Sequence, residues 1–200
     1  MRKIYLALLS TFISLPAMSF GLGGNFRYNA EKTYYGVRLG INLSALTGDA
    51  PLKTDGHRTG LYLGGVMGFR LSRPLPLYLE SGVVYTERGG KQDGSTCTLN
   101  SFEIPMVVKY GITTGTATIV SPFLGPYFSY AVSGKTTGGL SAFKEGGFNH
   151  GDMGLKVGCG IDYYHLYLEA SYQYGLLNIS SLPGVAAHTS NFNVSVGFNF

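Results

Sequence analysis

The stretch Asn191-Phe192-Asn193-Val194-Ser195-Val196-Gly197-Phe198-Asn199-Phe200 alternates without a slip. Phe192, Val194, Val196, Phe198 and Phe200 fall on one face of an extended chain, and Asn191, Asn193, Ser195, Gly197 and Asn199 fall on the other. Period two marks a strand whose two faces meet different surroundings. The sequence ends on a Phe in mid-pattern, so both edges of this strand need partners from elsewhere. A bare apolar edge templates aggregation, and closing the sheet into a barrel abolishes it. The stretch therefore reads as the closing strand of a barrel.

Composition agrees. Charged residues are 13% of the chain, about half the ~25% usual in soluble domains. Gly numbers 30, Tyr 15 and Phe 12, with no Trp. Scarce charge with abundant Gly and Tyr suits a sheet that faces lipid outside and packs tightly within. The net charge is +4, and Arg2 and Lys3 in the leader supply two of those charges. So weak a basic balance, without a cluster of basic and aromatic residues, predicts no nucleic-acid partner.

Working back from the C-terminus, seven further alternating segments can be read between residues 34 and 176. Their outward sets begin with Tyr35, Val37, Leu39, Ile41 and Leu43, and include Phe102, Ile104, Met106, Val108 and Tyr110. Their inward sets are polar or Gly-rich, and no charge falls on an outward face; one there would cost about 2–4 kcal/mol at the bilayer midplane. Each segment approaches the ~9–11 residues a tilted strand needs to cross a bilayer. The expected fold is all-β: an eight-stranded, antiparallel, up-and-down transmembrane β-barrel.

The expected organisation is a signal peptide over residues 1–19, a periplasmic lead-in over 20–33 and the barrel domain over 34–200. Arg2-Lys3, an apolar run and Ala17-Met18-Ser19 make the secretory pattern. The run is short for a spanning helix. The connections 45–58, 89–99, 135–149 and 177–189 read as long polar loops, 72–76 and 162–165 as short turns, and 113–119 as intermediate. Outer-membrane barrels place long loops outside and short turns and both termini in the periplasm. Threaded that way, Tyr85, Phe102, Tyr130, Tyr172, Tyr174 and Phe192 form an external aromatic girdle. Tyr35, Phe69, Tyr110, Tyr163, Phe198 and Phe200 form a periplasmic one.

Several phrases together resemble the PorT-like outer-membrane β-barrel family of Bacteroidota. They are Gly36-Val-Arg-Leu-Gly-Ile-Asn-Leu-Ser44, Leu79-Glu-Ser-Gly-Val-Val-Tyr85, Phe102-Glu-Ile-Pro-Met-Val-Val-Lys-Tyr110, Pro122-Phe-Leu-Gly-Pro-Tyr127 and Leu168-Glu-Ala-Ser-Tyr-Gln-Tyr-Gly-Leu176. The resemblance implies an eight-stranded barrel integral to the bacterial outer membrane, and it departs in the third strand, where Ser81 follows Leu79-Glu80 in place of Pro. The expected partners are outer-membrane lipid and the barrel-insertion machinery, engaged through the C-terminal strand; whether an envelope protein joins them is left open by the sequence.

The inward ionisable residues are Arg38, Arg70, Glu80, Glu103, Lys109, Asp152, Lys156 and Glu169, with Asp162 at the rim. Eight strands enclose a lumen just wide enough for side chains to fill, so these groups must satisfy one another. They read as a structural ion-pair network ahead of a proton or ion path. No catalytic, cofactor or metal site is expected. His57, His150 and His188 and several Ser lie in or beside external loops, without a Gly-x-Ser-x-Gly elbow or fixed spacing. Cys97 in an external loop and Cys159 on the lipid face are too far apart to bridge, and Asn178-Ile179-Ser180 reads as an ordinary loop. The leading function is a structural or surface-interaction scaffold; an accessory subunit of an envelope secretion or transport assembly, and a lipid-modifying enzyme, are the alternatives.

Overall fold

The computed structural model describes residues 33–48, 54, 56–72, 74–92, 95–114, 117–136, 143, 148–181 and 184–200. Its strands are β1 (Thr33–Gly48), β2 (Gly56–Arg70), β3 (Leu77–Gln92), β4 (Ser95–Tyr110), β5 (Ile112–Thr114), β6 (Thr118–Thr136), β7 (Gly151–Tyr163), β8 (Leu166–Gly175) and β9 (Ala187–Asn199). The expected leader and most of the lead-in lie outside the described residues. Thr33, assigned to the lead-in from sequence, already pairs with Phe69 in the sheet.

Strands pair antiparallel with their sequence neighbours, save that β4 and β5 both pair with β6, and β1 pairs with β9, as an up-and-down barrel requires. β5 continues β4 past Gly111, whose amide reaches the Pro76 carbonyl at 2.8 Å. Nine segments thus make eight staves. The closing strand is held on both edges, by β8 from Leu166↔Phe198 upward and by β1 from Gly36↔Asn199 upward. Reciprocal backbone bonds between Tyr35 and Phe200, 2.9 and 2.8 Å, extend the seam to the last residue.

The faces are inverted relative to a soluble protein. Val194, Leu155 and Met106 are exposed at 44%, 46% and 41%, while Glu103 and Lys156 are 0% and 3% exposed. An apolar exterior this continuous would be expelled by water, and the same surface is stable in hydrocarbon. Strand β8 shows the pattern most simply: Leu166, Leu168, Tyr172 and Tyr174 point out, and Tyr167, Glu169, Ser171 and Gln173 point in. Inward tyrosines lie flat over glycines of neighbouring strands. A Cβ at Gly68 would overlap the Tyr34 ring, and one at Gly160 the Tyr167 ring.

Of the twelve girdle aromatics, Tyr85 and Phe200 are half-buried and the other ten are exposed. Tyr85, Phe102 and Tyr130 occupy one rung across β3, β4 and β6. Tyr172 lies opposite Phe192 on β8 and β9. At the mouth where the chain ends, Phe200 sits 6.4 Å from both Tyr35 and Phe198.

The connections at the opposite, distal mouth are shorter than the sequence suggested. β1 runs to Gly48 and β2 starts at Gly56; β6 runs to Thr136 and β9 starts at Ala187. The expected loop 89–99 is strand, paired out to Gln92↔Ser95. Gly48, the last residue of β1, and Gly89, inside β3, carry positive φ (143° and 140°), and at Gly89 the strand bends and continues. The connection 113–119 likewise tightens, because Ile112–Thr114 pairs back on residues 118–120. The turn between Tyr163 and Leu166 puts Tyr164 at φ 53°, a conformation that non-glycine residues rarely adopt.

Candidate functional site

The inward rungs gather their ionisable side chains into two linked groups in the lumen. In the half nearer Thr33 and Phe200, Glu80 on β3 is the hub. Its Oε2 accepts from Tyr34 (2.6 Å) and Arg38 (3.2 Å), and its Oε1 faces Lys109 Nζ at 2.7 Å. Lys109 also donates to Tyr167 Oη (2.7 Å), which donates on to Glu169 (2.9 Å). Glu169 in turn pairs with Lys156 at 2.9 Å, and Lys156 donates to Tyr62 Oη at 3.0 Å. The Arg38 guanidinium lies 3.9 Å over the Tyr167 ring and donates to Asn199 at 2.7 Å. Asn199 then donates to Asp162 at 2.6 Å, fixing the carboxylate expected at the rim, which is buried.

The second group is centred on Arg88, a residue absent from the set expected on sequence grounds. Arg88 pairs with Glu103 and with Asp152 (3.2 Å), and donates to Gln173 Oε1 at 2.9 Å. Gln173 donates back to Glu103 at 2.8 Å, and Asp152 accepts from Tyr127 (3.1 Å) and Thr189 (2.6 Å). Gly89-Gly90 has the look of a loop, which ends the third strand at Thr86 on sequence grounds. Two signals point the other way: Arg88 shares the parity of Thr86, and Asp93-Gly94 is the dipeptide of a tight hairpin. Arg70, expected in the network, is half-buried at the end of β2, with Nε donating to the Ser72 carbonyl (2.9 Å) and its guanidinium 6.0 Å from the Tyr78 ring.

Among the described residues, the buried cations are Arg38, Arg88, Lys109 and Lys156, and the buried carboxylates are Glu80, Glu103, Asp152, Asp162 and Glu169. Charge nearly cancels, as a low-dielectric interior demands. Hydroxyl and amide partners take up many of the remaining lone pairs, while Asp152 Oδ1 and Arg38 Nε find no hydrogen-bond partner among the described residues.

Above these ions the distal mouth is apolar. Leu46, Leu99, Phe148, Ile179 and Ala187 form a buried cluster, with Cys97 and Phe143 packed on it. Asn178-Ile179-Ser180 is therefore part of a built cap. The Asn178 side chain accepts from the amides of Ser180 and Ala187, each at 2.9 Å, and Ser180 bridges to Phe148. Cys97, expected in a loop, lies in β4 against this cap. Cys159 is exposed on β7, and no disulfide joins the two.

Two of the three histidines near the distal mouth are stacked on aromatics. His150 lies 3.9 Å from Phe143 and 5.4 Å from Tyr130, with Nδ1 at 2.7 Å from the Ala131 carbonyl. His188 stacks on Tyr174 (5.9 Å), with Nδ1 at 3.1 Å from the Gly175 carbonyl. His57 is in β2, opposite Gly90. Of the nearby hydroxyls, Ser190 meets Tyr172 Oη at 2.8 Å and Ser181 donates to Asn149 at 3.0 Å. Among the described residues, no three His, Cys, Asp or Glu side chains converge as a metal requires.

Residues 19–181 match the family model described as outer membrane protein beta-barrel domain. Among solved structures, the chain is similar to the Neisserial surface protein A, at 18% identity and a TM-score of 0.50, covering 85% of this chain and 98% of that one. It is similar to a major outer membrane protein of Thermus thermophilus, at 13% identity and TM-score 0.50, covering 85% and 100%. The attachment invasion locus protein Ail of Yersinia pestis aligns at 14% identity and TM-score 0.48, again over 85% and 100%. These are likenesses of fold. No curated protein matches the sequence.

Proposed function

The chain belongs to the outer membrane protein beta-barrel domain family and resides in the outer membrane, and from that premise we propose that it is a closed, non-conducting scaffold that displays surface for interaction outside the cell. The observation that carries this reading is the double closure of the lumen. Ion pairs fill its middle, and the cluster around Leu46, Leu99 and Ile179 caps its distal mouth. Family barrels keep both termini in the periplasm, so that capped mouth faces outward. There β3 continues past the buried Arg88 to Gln92, paired with β4 out to Ser95, and the end of this hairpin is the surface on offer. The test is single-channel recording on the purified protein in planar bilayers. No steps above the lipid baseline are expected, and stable ion conductance would overturn the reading.

The resemblance to the PorT-like family supports a second reading, an accessory subunit of an envelope secretion or transport assembly. The end of the same hairpin favours it, as a place for a partner to hold. A stable complex recovered with the intact protein from its own membranes would move this reading ahead of the first. Catalysis on lipid stands third. The Nδ1 contacts of His150 and His188 with strand carbonyls support a structural role for those rings. Acyl release from outer-membrane lipid that disappears in His150→Ala would reverse that ranking.

A further inference from the structure

Pro105 in β4 and Pro126 in β6 sit inside the barrel wall, on strands paired along both edges. Proline has no N–H to give a ladder, and sheets ordinarily confine it to edges or bulges. The pairing lapses at both positions. Between β3 and β4 the ladder passes from Ser81↔Met106 to Val84↔Glu103, omitting Gly82 and Val83 against Ile104 and Pro105. Between β4 and β6 it passes from Pro105↔Tyr127 to Val108↔Leu124, omitting Met106 and Val107 against Gly125 and Pro126. The register is the same on either side of each gap, so these are dropped rungs and not bulges. The two gaps adjoin, one on each edge of β4. They lie midway between Phe102 and Tyr110 of the two girdles, where no water replaces a missing hydrogen bond. A Cβ at Gly125 would overlap the Met106 carbonyl, so glycine is needed for β6 to pass this close. Val194 and Val196 of β9, by contrast, are paired on both edges, with β1 and with β8.

The side chains that bracket the gaps are tied down inside the lumen. Glu103, just before them, pairs with Arg88 of β3 and accepts from Gln173 of β8 at 2.8 Å. Lys109, just past them, faces Glu80 of β3 at 2.7 Å and donates to Tyr167 of β8 at 2.7 Å. Each therefore fastens β4 to its neighbour and, across the lumen, to β8. We propose that Ile104–Val107 is a hinged stave, a piece of the wall that opens locally while the rest of the cylinder stays intact, and that the ties at Glu103 and Lys109 hold it shut. The dropped rungs lower the cost of opening, and each absent backbone bond raises the open population about fivefold. The ties oppose it, because Arg88 and Gln173 must let go of Glu103 before the stave can move. The closed scaffold thereby gains a place to change shape in its side wall, away from both mouths.

The test is residue-resolved amide hydrogen exchange by nuclear magnetic resonance on the intact barrel in lipid nanodiscs. With two bonds missing, the amides of Met106, Val107 and Val108 should exchange about 30-fold faster than those of Val194 and Val196, which also lie between the girdles. Pro126→Val restores an N–H opposite Met106 and should slow the β4 amides about fivefold. Glu103→Gln should speed them about fivefold or more and leave Val194 and Val196 unchanged. A general loss of stability would speed both strands alike. Equal exchange in β4 and β9 of the natural chain overturns the proposal. So does an unchanged β4 rate in Pro126→Val, and so does a parallel rise in both strands in Glu103→Gln. Should Glu103→Gln fail to fold, the natural chain and Pro126→Val decide.

Discussion

One cylinder is closed in two chemically opposite ways. Its middle is shut by ions that need named partners, such as Glu80 with Arg38 and Lys109. Its distal mouth is shut by Leu46, Leu99, Phe148, Ile179 and Ala187, which need only volume. The difference shows what each material contributes. Ion pairs are directional, so they fix which strand faces which, but they fail badly when one member is lost. Apolar packing is non-directional and degrades by degrees.

The sharpest way to break the contrast is Glu80→Ala. It strips the shared carboxylate from Arg38, Lys109 and Tyr34, and should cost about 3–5 kcal/mol. Urea unfolding in lipid vesicles, with heat-modified gel mobility as a second readout, measures the loss. Glu103→Ala should cost less than Glu80→Ala, because Arg88 keeps Asp152 and Gln173. An equal or larger loss in the same titration would show that the two ionic groups are not organised as described.

In the cap, Leu46→Ala should cost about 3 kcal/mol, the ordinary loss for a buried Leu. Bilayer recordings on that variant should stay silent, because the ion pairs beneath remain. Steady current would mean that the cap alone seals the barrel. On the outer face, Val194→Lys puts a charge into hydrocarbon and should cost about 2–3 kcal/mol in vesicles. Near-neutrality there would place Val194 closer to the membrane surface than its exposure suggests. The smallest effect is expected at the turn, where Tyr164→Gly relieves the positive φ and should stabilise by up to about 1 kcal/mol in the same unfolding assay.

Much of this is legible in the sequence because a strand's period is local. Phe192 through Phe200 declare their faces whatever they pair with, and the same holds for Glu103, Lys109, Lys156 and Glu169. Arg88 escapes for an equally local reason: Gly89-Gly90 carries the weight of a loop in sequence, whereas a positive φ at Gly89 lets the strand bend and continue. Asn178-Ile179-Ser180 looks like surface because nothing in its own sequence reveals that Phe148, from another connection, lies against it.

The amino-acid order alone determined that this chain forms a lipid-facing barrel, and most of the side chains that enter its lumen, since both follow from alternation along single strands. Which cation meets which carboxylate, that Arg88 rather than Arg70 joins the central group, and that the distal mouth is capped by hydrocarbon were decided only in three dimensions. Those outcomes depend on the stagger between strands far apart in sequence, and stagger is a property of the closed sheet that no single strand carries.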